Sequence, residues 1–153
     1  MIAITKYREL LDFLGANTKF GFEVIKLART EDELAKIIKD VDDYMLIGIV
    51  PSSDTIAGGV DNIIENDTIV LYIIHKVSDR DRDDSQIEAD ITIAQQYVYD
   101  IKYMLQNLYD HFDHPLNSLV RKIDFNSMHT DPEYNYMGCD GYSISFVLTT
   151  DWF

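Results

Sequence analysis

Three clusters in this chain hold residue types that bind metals or act as nucleophiles. The first is Asp79-x-Asp81-x-Asp83. A calcium loop of the EF-hand type needs Gly at its sixth position and a bidentate Glu at its twelfth. Those positions are Asp84 and Asp90, and Arg80 and Arg82 lie between the carboxylates as competing cations. A solvated turn with local ion pairs accounts for the run. The second cluster, Asp110-His111-Phe112-Asp113-His114, sits at the expected end of a long helix. An i, i+3 histidine pair can share a metal on a helical face. No HExxH pattern accompanies it, and His129 or Cys139 would join only if the fold brought them near. Polar capping ahead of Pro115 explains His111 and His114, so no metal is assigned to them. The third candidate is Cys139, the lone cysteine. A nucleophilic thiol must be a thiolate, and no basic residue adjoins it in sequence. Gly58-Gly59 does not make a phosphate loop, because no lysine lies between Lys39 and Lys76. A GxSxG elbow is absent. No catalytic residue and no cofactor is expected, and the chain is read as non-enzymatic.

Composition narrows the remaining classes. The chain has 153 residues, with 13 Lys and Arg against 27 Asp and Glu, a formal charge of −14. That length fits one domain over 1–153. An apolar share of 46% supports a packed core rather than disorder. One cysteine excludes a disulfide scaffold. The acidic balance opposes a grip on nucleic-acid phosphates. The first ten residues lack a charged region followed by a long apolar run, so no secretory signal is expected. The apolar run 44–50 is far shorter than the roughly 20 residues of a membrane span.

The elements that would position any site follow from periodicity. Ile4, Tyr7, Leu10, Leu11 and Leu14 make one helical face, with Gly15 and Asn17 as a stop. Residues 20–27 are rich in aromatic and β-branched types, predicting a strand. Thr30 and Glu33 form a capping-box pattern, ahead of the stripe Leu34, Ile37, Ile38 and Val41. Residues 44–50 predict a buried strand ended by Pro51. Residues 51–66 show no sustained period and read as a long loop. Residues 68–77 predict a central strand. A polar turn over 78–84 precedes a helix over 85–112, about 40 Å long at 1.5 Å per residue. Its apolar stripe includes Ile87, Ile91, Ala94, Val98, Ile101, Leu105, Leu108 and Phe112. That stripe is broad, which suits a helix lying across a sheet. Residues 120–126 predict a short strand, Asp131-Pro132 and 137–141 predict turns, and 142–149 alternate as a half-buried antiparallel strand. The expected class is α+β: a mostly antiparallel sheet of about five strands, with one long and two shorter helices packed on one face. Ten tyrosines, four of them on the long helix at 97, 99, 103 and 109, suggest an interface as readily as ordinary partial burial.

The C-terminal half carries a family resemblance. Lys122-Ile123-Asp124-Phe125, then Tyr134-Asn135, then Gly141-Tyr142-Ser143-Ile144-Ser145-Phe146-Val147-Leu148 resembles the ending of tail-completion (tail-terminator) and related neck proteins of tailed phages and prophages. The match is one of element order and a loose strand signature from the long helix onward. The stretch 51–66 has no counterpart in it. The resemblance implies a homo-oligomeric ring that joins or caps virion parts, without catalytic residues. It implies other virion proteins as partners and the virion, or the host cytoplasm during assembly, as location. An acidic surface suits a conduit along which DNA slides without sticking. On this reading the contact elements are the polar connections, with Asp54, Gly58 and Gly59 in one and Arg80 and Arg82 in the other. Trp152 and Phe153 would be terminal anchors. The alternative is a small acidic adaptor or inhibitor of a basic partner protein.

Overall fold

The computed structural model describes residues 1–57, 63–77 and 82–151. Gly58, Gly59, Arg80, Trp152 and Phe153 lie outside the described residues, as do Asp79 and Asp81. In chain order the elements are α1 (Ile4–Ala16), β1 (Val24–Ala28), α2 (Glu31–Lys39), β2 (Met45–Ala57), β3 (Ile63–Lys76), α3 (Asp84–Asp110), α4 (Asn117–Val120), β4 (Ile123–Tyr136) and β5 (Cys139–Asp151). The sheet runs β1-β2-β3-β5-β4. Only β1–β2 is parallel; the other three pairs are antiparallel. The protein is therefore α+β, and β3 is the central strand expected.

Period-two alternation gives the sheet two unlike faces. Ile69, Leu71 and Ile73 of β3 join Ile144, Phe146 and Leu148 of β5 beneath α1 and α3 in the larger core. The alternate residues, Met45, Ile47 and Ile74, pack with Leu34 and Ile38 of α2 in a smaller cluster. Helices thus lie on both faces, a correction to the one-face expectation. The physical reason is the β1–α2–β2 unit: a parallel pair needs a crossover helix, and α1 and α3 already fill the first face.

The long loop expected over 51–66 is also corrected. Most of it is strand, because β2 and β3 pair from Ser52↔Thr68 out to Ala57↔Ile63. Pro51 signalled a strand end, yet it sits where the register shifts between Ile49 and Ser52. A bulge absorbs an imino residue that cannot donate to the ladder. Asp131-Pro132 is likewise no turn but lies inside the edge strand β4, which is far longer than 120–126. Proline is tolerated at an edge. The strand expected over 20–27 forms only from Val24. The β4–β5 turn is Met137-Gly138, both at positive φ (50° and 77°), as tight hairpins require. Phe112, expected in the buried stripe, falls beyond α3 and is 73% exposed.

Side chains cap the starts of α2 and α3. Thr30 Oγ1 accepts from Glu33 N at 3.2 Å, and the Glu33 carboxylate takes Arg29 N at 2.7 Å rather than Thr30 N. At α3 the box is complete: Asp83 Oδ1 accepts Gln86 N at 2.9 Å, and Gln86 Oε1 accepts Asp83 N at 3.1 Å. Among the described residues no helix is long and apolar enough to cross a membrane.

Candidate interaction surface

The groups that could do chemistry are each engaged within the fold. Arg82 is tucked against the start of α3, where its guanidinium donates to Asp140 Oδ2 at 2.7 Å and also to Asp90. These bonds, that to Asp140 first, hold it more firmly protonated than a free arginine. It ties α3 to β5 and leaves little of itself for a partner, its side chain being 18% exposed. His111 Nδ1 lies 2.7 Å from Asn107 O. His114 Nδ1 accepts Leu116 N at 3.1 Å, and its ring meets Phe13 edge to face. The two histidines line a groove of about 530 Å³ with Phe13, Met104 and Leu108. Among the described residues, no three His, Cys, Asp or Glu side chains gather as a metal-binding group.

Cys139 is fully buried and sits opposite Lys76 in the β3–β5 register. Burial pushes its thiol up to about 11, although Lys76 works in the other direction. No cation adjoins this thiol in sequence; Lys76 comes from the neighbouring strand, and desolvation outweighs it. Two carboxylates are buried on β3. Asp67 Oδ2 accepts Ile2 N at 2.7 Å and Thr150 Oγ1 at 3.2 Å, while the Met1 α-ammonium lies against Glu65. They fasten the segment before α1 to the sheet. Nothing in residue type distinguishes them from the many solvated carboxylates of this chain.

The sheet also has two edges, where strands lack a neighbour on one side among the described residues. β1 is five residues long and β2 thirteen. The β1–β2 register ends at Ala28↔Ile49. Beyond it, the outer side of β2 has no partner strand among the described residues. Asp54 stands on this bare stretch, exposed, opposite Asn66. At the point where β1 stops is a notch of about 510 Å³, lined by Ile4, Leu27, Ile37 and Val50 together with three cations, Lys26, Arg29 and Lys36, and one carboxylate, Glu33. Arg29 is paired with Glu33; Lys26 and Lys36 make no ion pair with a described residue.

The opposite edge, β4, is fourteen residues long and carries Asp124, Asp131 and Glu133 with no Lys or Arg. Asp124 and Asp131 are exposed, while Glu133 is half-buried and accepts Ser143 Oγ at 2.9 Å. The signal for this polarity lies in the sequence and was hidden by summing charge over the whole chain. Residues 1–39 hold seven Lys and Arg against six Asp and Glu; residues 40–153 hold six against twenty-one. On the helix side, Tyr99 and Tyr103 form an exposed stacked pair, with ring centroids 6.1 Å apart. Tyr97 is buried, its hydroxyl donating to Gly21 O at 2.6 Å, and burial pushes its phenol up to about 12.

The fold and this surface define an α+β protein whose sheet has a mainly cationic notch at one edge and an acidic strand at the other. No protein-family model matches the chain. No curated protein matches it significantly either.

Proposed function

We propose that this chain is a non-enzymatic structural protein of a tailed-phage or prophage virion, a ring-forming tail-completion or head–tail connector component. One observation carries the reading: the sheet ends in a cationic notch at one edge and an acidic strand at the other. Edges that differ in this way favour a head-to-tail contact, and such contacts generate rings when the rotation closes. The element order of the C-terminal half and the excess of carboxylates are compatible with a ring that DNA passes through. Other virion proteins would then be its remaining partners.

The test is the absolute mass in solution by light scattering at low and high salt, followed by imaging of any assembly. A discrete species of five or more subunits with cyclic symmetry is the expected result. A monomer at every concentration and salt would overturn it. That outcome would favour the second reading, an acidic adaptor for a basic partner protein, which the fifteen-charge acidic excess of residues 40–153 supports.

A further inference from the structure

We infer that the partner seated on the bare edge of β2 is the β4 strand of a second copy of this chain, added antiparallel. The inference rests on the ring reading and names the surfaces that would build it.

The first argument is hydrogen bonding. Residues 50–56 of β2, Pro51 with its carbonyl only, have no strand beside them among the described residues. Such an edge is a template for another strand. At about 3.3 Å per residue it offers roughly 23 Å of pairing, a normal strand length.

Charge then selects the occupant. A copy of β4 placed against another β4 would set Asp124, Asp131 and Glu133 against their own kind, and like charges directly opposite destabilise a pair. A β4 strand placed against the notch meets Lys26, Arg29 and Lys36 instead. In the antiparallel sense the chain end bearing Asp131 and Glu133 falls at the notch beside Val50. The stretch bearing Ser127 and His129 then runs along Asp54, where a neutral or cationic neighbour is tolerated and a carboxylate is not. The parallel sense would bring only Asp124 to the notch and carry Asp131 seven residues away, to the far end of β2. Pro132, which cannot donate, sits near one end of the paired length, where a missing hydrogen bond costs least. Ile4, Leu27 and Val50 supply the apolar lining for the side chains that point inward.

A charge swap tests this in the full chain. K26E/K36E reverses the notch and D131K/E133K reverses the strand, with circular dichroism confirming that each variant is folded. Light scattering at low salt should show self-association weakened at least tenfold by either pair of changes alone. It should recover when both pairs are combined in one chain, because the attraction is then restored with its sign exchanged. Recovery is an outcome that misfolding cannot imitate. If the wild type assembles and neither reversal weakens it, the β2–β4 contact is overturned while the ring reading stands. If the wild type is monomeric throughout, the ring reading falls and this contact falls with it.

Discussion

β1 and β4 close the same sheet at opposite ends, yet they are built differently. β1 is short, parallel to its neighbour, and flanked by α1 on one face and α2 on the other. β4 is long, antiparallel, and held to β5 by a two-residue turn. At the β1 end the neighbours meet through side chains: Ile25 comes up against Gly15 of α1, and Leu27 and Tyr7 come up against Gly48 of β2. On the β4 side of the sheet the tightest approach is between backbones, where Gly141 of β5 lies against Ile73 and Ile74 of the central β3. The difference separates two ways of ending a sheet. One edge is covered by helices and stops early, leaving β2 bare. The other keeps its full length, and its carboxylates oppose pairing with a second β4 strand.

The sharpest way to break the comparison is at Gly141. A Cβ there would sit 1.9 Å from Ile73 O and 2.9 Å from Ile74 Cα, with φ at +156°. Those atoms belong to the central strand and cannot rotate away. Gly141→Ala should cost about 4 kcal/mol, in the range kept for strained or overpacked backbone sites. Urea unfolding measures the loss, and the Cys139 thiol supplies a local readout. Buried and pushed up to about 11, it should be silent to Ellman's reagent at pH 8 in the native protein and react in the variant. A variant as stable as the wild type, with its thiol still silent, would mean that the β5–β3 backbone contact is as compliant as the side-chain contacts at the β1 end.

Gly15→Ala probes the other end with the same added methyl group. Its Cβ would meet Ile25 Cδ1 at 2.3 Å and Leu46 Cδ2 at 3.4 Å. Both are ends of flexible side chains, so rotamer shifts can relieve the contact. A cost of about 2 kcal/mol is expected, typical of an extra methylene in a packed core. The variant's urea midpoint should therefore lie between those of Gly141→Ala and the wild type. A loss equal to that of Gly141→Ala would show that α1 and β1 are fixed as rigidly as the backbone contacts at the far edge.

How much of this was legible in the sequence depends on how strongly each segment is patterned. Residues 142–149 alternate cleanly and α3 repeats its apolar positions over many turns, so both were read correctly. The α+β class followed from them. The outer halves of β2 and β3 were missed because they lack that contrast. Ser53, Glu65 and Asp67 share one face and Asp54 and Asn66 the other, so both faces are polar and alternation is invisible. Pro51 reinforced the error, since a bulge and a strand end carry the same residue. The buried role of Glu65 depends on Met1 and that of Asp67 on Ile2 and Thr150, all remote in sequence. Of the expected contact residues, Asp54 does stand on the open edge, although on a strand rather than a loop. Arg82 was placed at a contact by its exposed-looking sequence neighbours, and it is held by Asp90 and Asp140, which only the fold brings together. The cationic notch escaped because Lys26, Arg29 and Lys36 come from two elements and make no motif.

The smallest effects come from the two helix caps, one beside each end of the sheet. Thr30 starts α2 next to β1 and contributes a single side-chain bond, to Glu33 N. Its partner Glu33 is turned back to Arg29, whose hydrogen bonds hold the carboxyl below its ordinary range. Asp83 starts α3 beside the Arg82–Asp140 junction and takes part in a reciprocal pair of bonds with Gln86. Replacing Asp83 by Ala removes one of these bonds and leaves Gln86 without the backbone geometry that its own bond needs. It also takes a negative charge away from the positive end of a 27-residue helix. Asp83→Ala should therefore cost about 1 kcal/mol and Thr30→Ala about 0.5 kcal/mol. Urea midpoints should shift in that order with unchanged slopes, since neither change alters the surface exposed on unfolding. A larger loss at Thr30 would mean that α2 is the weaker of the two seams, and that the short edge of the sheet depends on its helix cover more than on strand pairing.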